Sequence, residues 1–219
     1  MLLMIQMGTA LQNLMTRDVH SSPMILDIDR VRFSREALRL LGVVETEFQP
    51  DVLIGIRSGG YLLAEAMAEQ RPAGAMKLIS ITRRRASTKS KDRMKIKQIL
   101  GIVPRPVKNA LRRLEHRYLM AAMSRQQAHP MVPDPEEDHA LRTAIAAFGA
   151  TCRILVVDDA VDSGATLLAV LRYIREIVSP AAEVRSAAIT VTHADPMVEP
   201  DYSLYRHVLC RFYWSSDFA

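Results

Sequence analysis

The stretch Val156-Val-Asp-Asp-Ala-Val-Asp-Ser-Gly-Ala-Thr166 decides the fold and points to the chemistry of this chain. It follows an apolar run that predicts a buried strand, and it leads into a predicted helix. In an open α/β sheet, ligands bind at the carboxyl ends of the strands, and a helix N-terminus presents unpaired N–H groups that suit a phosphate. Gly164 lets the backbone approach an anion closely, while Ser163 and Thr166 add hydroxyl donors. We therefore predict a strand, a phosphate-binding loop and a helix.

Three acids in this stretch indicate contacts beyond the phosphate. Asp158 and Asp159 would repel a phosphate, so they make chemical sense if they hydrogen-bond sugar hydroxyls or hold Mg²⁺ through water. Asp162 lies at the mouth of the loop, where it would accept a proton from an incoming nucleophile. The plainer interpretation, a helix capped by Asp162 or Ser163, explains one polar residue but not three acids, a glycine and two hydroxyls. The stretch therefore predicts an enzyme that handles a phosphorylated sugar.

The rest of the chain alternates between predicted strands and helices. Strands are predicted at Asp51–Ile56, Met76–Thr82, Arg153–Val157, Glu183–Thr192 and His207–Tyr213, and helices at Ser34–Leu41, Tyr61–Gln70, Pro104–Met123, Asp138–Phe148 and Thr166–Val178. Such alternation is typical of βαβ units, so we expect an α/β fold with a mostly parallel sheet flanked by helices. Residues 1–30 show no clear pattern. At 219 residues, we expect a single domain over residues 1–219.

One segment is strongly basic. Arg83–Arg117 holds thirteen Lys or Arg against two acids and carries +11, so the remainder of this +5 chain carries −6. In the helix predicted over 104–123, Val107 and Leu114 lie on an apolar face, whereas Lys108 and Arg112 lie mostly on the opposite one. Residues 83–135, called the insert below, are therefore predicted to form a basic helical elaboration within the domain.

The two cysteines, Cys152 and Cys210, indicate neither a disulfide framework nor a metal-binding spacing, and the six histidines are scattered. A structural zinc site is therefore not expected. Residues 1–15 are apolar but lack the basic start and cleavage site of a signal peptide. No run of about 18 apolar residues predicts a membrane span. We expect a cytoplasmic protein.

The run Asp158-Asp-Ala-Val-Asp-Ser-Gly-Ala-Thr166 resembles the signature of type I phosphoribosyltransferases, in which two acids and two spacers precede Asp-Ser/Thr-Gly-x-Thr. The resemblance implies Mg²⁺-dependent transfer of ribose 5-phosphate from phosphoribosyl pyrophosphate (PRPP) to a nucleobase or related nucleophile, with release of pyrophosphate. It also implies that Asp158 and Asp159 contact the ribose and hold the metal through water, and that Asp162 is the catalytic base. The 5′-phosphate would be bound by Asp162, Ser163, Gly164, Ala165 and Thr166.

A second run, Ile54-Gly-Ile-Arg-Ser-Gly-Gly60, is similar to the pyrophosphate-binding loop of the same family. It also follows a predicted strand, and it precedes the first run in the chain, as the family's order requires. The resemblance assigns pyrophosphate binding to Arg57, Ser58, Gly59 and Gly60. In the family this loop often contains a strained or cis peptide bond, and the Arg57–Ser58 bond is the candidate here.

The C-terminal residues 193–219 resemble the small hood of the xanthine, guanine and hypoxanthine phosphoribosyltransferases. An aromatic residue of that hood stacks on the base, and Trp214 is the best candidate for this role. Alternatively, Trp214 and its aromatic neighbours simply close the core. The lysine that reads the purine oxygen in this branch is missing, because no Lys or Arg lies between Val191 and Tyr202. His193 is the nearest substitute, so the identity of the nucleophile stays open.

The insert falls where the family often has a catalytic flexible loop, and three interpretations compete. It is a lid whose cations close over the leaving pyrophosphate, a surface that binds nucleic acid, or a solvated or subunit-docking elaboration. We prefer a lid that also contacts the second subunit of a homodimer, with Arg83, Arg84 and Lys89 as candidate phosphate contacts. Two alternative functions remain: the reverse reaction, and a PRPP-sensing regulator that binds RNA or DNA through the insert.

Overall fold

The structure, a computed structural model, describes residues 23–72, 76–82, 104–110, 112–114, 130–215 and 218. In chain order its elements are β1 (Met24–Ile28), α1 (Arg30–Glu45), β2 (Val52–Ile56), α2 (Gly59–Ala68), β3 (Lys77–Ile81), α3 (Pro135–Phe148), β4 (Arg153–Val161), α4 (Ala165–Ile177), β5 (Glu183–Val191), β6 (Tyr202–Arg206) and β7 (Val208–Phe212). Five strands form a parallel sheet in the order β3-β2-β4-β5-β6, and β1 pairs in parallel with β7 in a separate sheet. The predicted α/β fold with a mostly parallel sheet flanked by helices is confirmed.

Helices cover both faces of the five-stranded sheet, which explains the long apolar runs at its centre. Leu53 of β2 and Leu155 of β4 lie in a core shared with α1, α2 and the β1–β7 sheet. Their neighbours Ile54 and Val156 point the opposite way, into a core shared with α3 and α4. Each fully buried side chain of this kind contributes about 1.5–3 kcal/mol relative to an exposed one. The carboxyl ends of β2 and β4 are therefore held rigidly side by side.

Several predicted boundaries were wrong. Helix α1 begins at Arg30 rather than Ser34, because the Asp29 side chain accepts a hydrogen bond from the Arg32 amide at 2.7 Å and caps the helix. Strand β4 continues to Val161, so the first two acids of the signature lie within the strand rather than beyond it. Strands β1 and β6 were not predicted. Both lie at sheet edges, where partial exposure permits polar residues and weakens the apolar signal.

The described helical part of the insert lies against the β1–β7 sheet. Residues 105–110 and 112–114 are helical, as predicted for this part of the insert. The Arg112 guanidinium donates to the carbonyl oxygen of Cys210 at 2.6 Å, and the Arg211 guanidinium donates to the Asn109 side-chain oxygen. Arg211 also forms an ion pair with Asp27 at 3.1 Å. Arg105 of the insert forms an ion pair with Asp27 of β1 at 3.7 Å. These contacts tie the insert to both strands of the small sheet.

The amphipathic pattern of this segment predicted the wrong buried face. Val107 and Leu114 remain 48% and 62% exposed, whereas Lys108 is only 4% exposed. The polar side packs inward because the surface it meets is itself polar, with charged side chains and a backbone carbonyl.

The lid candidates Arg83, Arg84 and Lys89 lie outside the described residues. Across the described ranges, no helix is both long and apolar enough to cross a membrane.

Candidate functional site

Two loops that are about a hundred residues apart in sequence meet at the carboxyl ends of β2 and β4. The strands are adjacent, and Gly55 pairs with Val157 just before both loops begin. A Cβ atom added to Gly59 would lie 2.3 Å from the carboxylate carbon of Asp159, and one added to Gly60 would lie 2.5 Å from the Val157 carbonyl oxygen. The backbone of the first loop is therefore in direct contact with the acids of the second, at a distance that only glycine permits.

The first loop contains the Arg57–Ser58 peptide bond, which is cis, as the resemblance implied. The Arg57 amide donates to the Ile81 carbonyl at 2.8 Å, and its guanidinium donates to the Ser80 hydroxyl at 3.2 Å. Helix α2 begins at Gly59, and no side chain at its N-cap, Ser58, bonds its first amides. The loop thus presents the N-terminus of α2 at the carboxyl end of the sheet, next to Asp159.

The second loop presents a second helix N-terminus, that of α4. Gly164 occupies the N-cap position with a φ of 73°, a left-handed conformation that other residues rarely adopt, and provides no side-chain cap. A Cβ atom there would lie 2.8 Å from the Val198 carbonyl oxygen. The Met197 amide donates to the Ser163 carbonyl at 2.8 Å, so the hood segment lies directly on this loop. The Ser163 hydroxyl accepts from the Ala165 amide at 3.3 Å.

Asp158 and Asp159 are half-buried carboxyl groups whose ionisation is opposed by their surroundings. Burial raises the pKa of Asp158 well above its ordinary value, and the neighbouring charge of Asp159 raises it further. Burial also raises the pKa of Asp159, to about 6, with a contribution from the charge of Asp162. The Asp158 side chain accepts a hydrogen bond from the Asp159 amide at 3.0 Å. A cation or a set of sugar hydroxyls at this position would relieve the repulsion.

Asp162 lies exposed after the end of β4, and its carboxylate accepts a hydrogen bond from the Thr192 hydroxyl at 2.6 Å. Thr192 follows β5 and is itself held by its amide, which donates to the Val161 carbonyl at 2.9 Å. The capping interpretation therefore does not describe Asp162, because its carboxylate is turned towards the end of β5. Its orientation is fixed while one side of the carboxylate remains open to solvent.

Trp214 belongs to an aromatic cluster beside α1. Its ring stacks on Phe212 with centroids 4.7 Å apart and an interplanar angle of 4°, and it meets Phe33 edge-on at 4.9 Å. Tyr213 packs against it at 4.7 Å. These contacts give the indole a structural role in the hood, and base stacking by Trp214 stays a prediction. His193 accepts a hydrogen bond from the Asp195 amide at 2.8 Å, which braces its own loop.

Carboxylate oxygens are suitable ligands for Mg²⁺. Over the described ranges, no group of three or more His, Cys, Asp or Glu side chains is arranged to hold a metal ion. A magnesium ion at the paired acids would therefore take its other ligands from water and substrate, which is how Mg²⁺ commonly binds. The chemistry of Asp158 and Asp159 fits that arrangement.

Two residues at the site, Thr192 and Glu137, were not predicted from the sequence. Thr192 orients Asp162, and Glu137 of α3 accepts hydrogen bonds from the amide and hydroxyl of Thr82 at 2.8 and 2.7 Å. Glu137 also lies 3.8 Å from the Arg57 guanidinium. Neither Thr192 nor Glu137 is part of a local motif. An acid in the first turn after a proline-rich stretch predicts only helix stabilisation, so the sequence offers no signal for this contact.

Comparison with known proteins places this geometry in context. The sequence model described as "Phosphoribosyl transferase domain" matches residues 39–219, most of the chain. No curated protein matches the sequence. The fold is similar to a purine phosphoribosyltransferase from Pyrococcus horikoshii, with 18% identity, a TM-score of 0.52, and coverage of 87% of this chain and 94% of that one. It is also similar to a xanthine-guanine-hypoxanthine phosphoribosyltransferase from Helicobacter pylori, with 17% identity, a TM-score of 0.53, and coverage of 87% and 92%. A hypothetical protein from Neisseria gonorrhoeae with bound ppGpp is similar with 13% identity, a TM-score of 0.55, and coverage of 90% of this chain and 92% of that one. At these identities the structural likenesses show a shared fold.

Proposed function

This chain belongs to the phosphoribosyltransferase family of pentosyltransferase enzymes, and from that premise we propose that it transfers ribose 5-phosphate from PRPP to a nucleobase or related nucleophile and releases pyrophosphate. One observation carries the proposal. The N-termini of α2 and α4 open at neighbouring strand ends, and the Asp159 carboxylate lies against Gly59, the first residue of α2. Two anion-binding helix ends flanking a pair of acids match a sugar that carries a phosphate at one end and a pyrophosphate at the other.

Each part of PRPP has a proposed binding group. The loop Asp162–Thr166 binds the 5′-phosphate through main-chain amides and hydroxyls, and the loop Arg57–Gly60 binds the pyrophosphate. Asp158 and Asp159 accept hydrogen bonds from the ribose hydroxyls between them. The raised pKa values of both acids support this assignment, because such shifts are common at sites that bind ligands or metals. When bound, Mg²⁺ would neutralise charge on the pyrophosphate and on the two carboxylates.

Catalysis in this proposal rests mainly on positioning and electrostatics. As the bond from the anomeric carbon to the pyrophosphate oxygen breaks, the nucleophile forms its new bond to that carbon and gives up a proton. Asp162 is the proposed acceptor of that proton, since its carboxylate is exposed and held in one orientation by the 2.6 Å bond from Thr192. The sequence lacks the family's purine-reading lysine, so a nucleophile other than an oxopurine is compatible with the proposal.

We also propose that the insert roofs the site. It leaves the sheet at Thr82 and returns at Glu137, and these two residues are joined by hydrogen bonds of 2.7 and 2.8 Å beside β3. Between them, Asn109 and Arg112 contact the β1–β7 sheet. That small sheet is anchored next to β5, where the Thr190 hydroxyl donates to the Val208 carbonyl at 2.7 Å. The insert is thus attached beside β3 on one side of β2 and β4 and at the β1–β7 sheet on the other side. This placement supports a lid over the ends of β2 and β4.

Isothermal calorimetry with Mg–PRPP, followed by a panel of nucleobases scored for pyrophosphate release, tests the proposed reaction. We expect PRPP binding and release with at least one nucleophile. Asp162→Asn should retain PRPP affinity and lose turnover, and undiminished turnover would remove Asp162 from the mechanism. A protein that binds RNA or DNA with steep salt dependence, and that binds PRPP without consuming it, would instead be a regulator.

A further inference from the structure

Glu137 joins three features that the proposed function leaves separate. Its carboxylate accepts both polar hydrogens of Thr82, at 2.8 and 2.7 Å, where the insert leaves the sheet. Glu137 itself lies in the first turn of α3, where the chain returns from the insert. The same carboxylate lies 3.8 Å from Nε of Arg57, the first residue of the proposed pyrophosphate loop. One acid thus closes the base of the insert and faces the pyrophosphate loop.

The two partners of Glu137 are held with very different strength. Both contacts with Thr82 are at hydrogen-bond distance, and the Glu137 side chain is only 15% exposed. The Arg57 side chain is 56% exposed, meets the carboxylate at ion-pair distance only, and makes one further contact, a 3.2 Å hydrogen bond from its guanidinium to the Ser80 hydroxyl. The Arg57 backbone is anchored, because its amide donates to the Ile81 carbonyl at 2.8 Å. The carboxylate is therefore the fixed member of the pair, and the guanidinium is able to swing away.

We propose that Glu137 is a positioning residue that holds Arg57 as its counter-ion in the free protein and thereby weakens the affinity of the Arg57–Gly60 loop for pyrophosphate. This inference rests on the proposed function, which assigns pyrophosphate to that loop. An incoming pyrophosphate must draw the Arg57 guanidinium from an acid that stays in place. When the product leaves, Glu137 recovers its partner. The acid thus favours release of an anion that the N-terminus of α2 would otherwise retain.

The sign of the effect separates this proposal from a purely structural role for Glu137. Loss of a structural brace would loosen the loop and weaken pyrophosphate binding. Loss of a competing counter-ion leaves Arg57 free for the ligand and strengthens binding. For one partly exposed ion pair we expect the dissociation constant to fall about two- to fivefold.

The experiment is a double-mutant cycle with calorimetry of Mg–pyrophosphate. Glu137→Gln keeps the shape and an acceptor oxygen for Thr82, and it should tighten binding in the wild-type background. In the Arg57→Ala background the same change should have almost no effect. Glu136→Gln is the matched control, because Glu136 is an exposed acid in the same helical turn. It should shift the dissociation constant by less than about 1.5-fold.

Each outcome decides the matter. Weaker or unchanged binding by Glu137→Gln overturns the proposal, and so does an equal gain in the Arg57→Ala background, which would indicate a general field effect. If Glu137→Gln folds poorly in thermal melts, Glu137→Asp serves instead, because it keeps the charge but withdraws it from Arg57 and should also tighten binding. A wild-type protein that binds neither pyrophosphate nor PRPP rejects the proposed function itself, which is a different result.

Discussion

Replacement of Asp159 by Asn should stabilise the ligand-free protein at neutral pH although it destroys the proposed ribose site. The pKa of this carboxyl is about 6 in the folded protein, against an ordinary value of 3.8, because burial opposes its ionisation. In the pH range between these values, the folded state binds more protons than the unfolded state. Stability from this group is therefore complete below about pH 4 and is lost as the pH rises through about 6.

The size of the effect follows from the shift. Two pKa units correspond to about 3 kcal/mol, which is an upper limit for the cost of charging Asp159 above pH 6. The side chain is only half-buried, and water screens part of that cost, so we expect a gain of about 1–2 kcal/mol from an uncharged isostere. For a domain of this length, that gain raises the melting temperature by about 2–8 °C.

Differential scanning calorimetry of both proteins at pH 5 and pH 8, without Mg²⁺ or PRPP, measures this difference. The side-chain amide introduced by Asp159→Asn has the same shape as the carboxylate, so the contact with the Gly59 backbone is preserved. The gap in melting temperature should be roughly half its full size at pH 5, which lies about midway between the two pKa values, and reach its full size at pH 8, while PRPP binding is lost at both. A variant that melts at or below the wild-type temperature at pH 8, or a gap independent of pH, would refute the reasoning.

Three further substitutions address the geometry of the site. Gly59→Ala should reduce PRPP affinity at least tenfold in calorimetry, because its Cβ would lie 2.3 Å from the Asp159 carboxylate carbon; wild-type affinity would show that the two loops are not in contact. Gly164→Ala should cost about 1–2 kcal/mol of unfolding free energy in denaturant titrations and weaken ribose 5-phosphate binding, since φ is 73° there. Unchanged stability would contradict that backbone conformation. Thr192→Val removes the 2.6 Å bond to Asp162, so kcat should fall about 3- to 30-fold with little change in PRPP affinity. An unaltered kcat would mean that Asp162 needs no orientation.

The signature around Asp158–Thr166 was sufficient to predict the fold class and the strand, glycine turn and helix that the structure has at this point. Its residues are adjacent in sequence, and a strand, a glycine turn and a helix N-terminus are local structures with local signals. The cis bond at Arg57–Ser58 was also expected from the resemblance of that loop to a known family, and it is present. The roles of Arg83, Arg84 and Lys89 stay predictions.

The sequence did not predict which surfaces pack against each other in the folded protein. The amphipathic pattern predicted the helix described at residues 105–110 and 112–114 but not which of its faces is buried, because hydropathy does not reveal that the partner surface is polar. Lys108 is buried, while Val107 and Leu114 are exposed. The edge strands β1 and β6 were not predicted for a related reason, since their environment is only partly apolar.

From sequence alone came the alternation of strands and helices, the two loops proposed to bind anions and the acids in the last part of a buried strand, because each depends on residues close together in the chain. Tertiary structure alone decided that Asp159 lies against Gly59, that Thr192 orients Asp162, and that Glu137 faces Arg57. These contacts join different strand ends and an inserted helix. Their partners are 30 to 100 residues apart, and only the packing of the parallel sheet brings them within a few ångströms of each other.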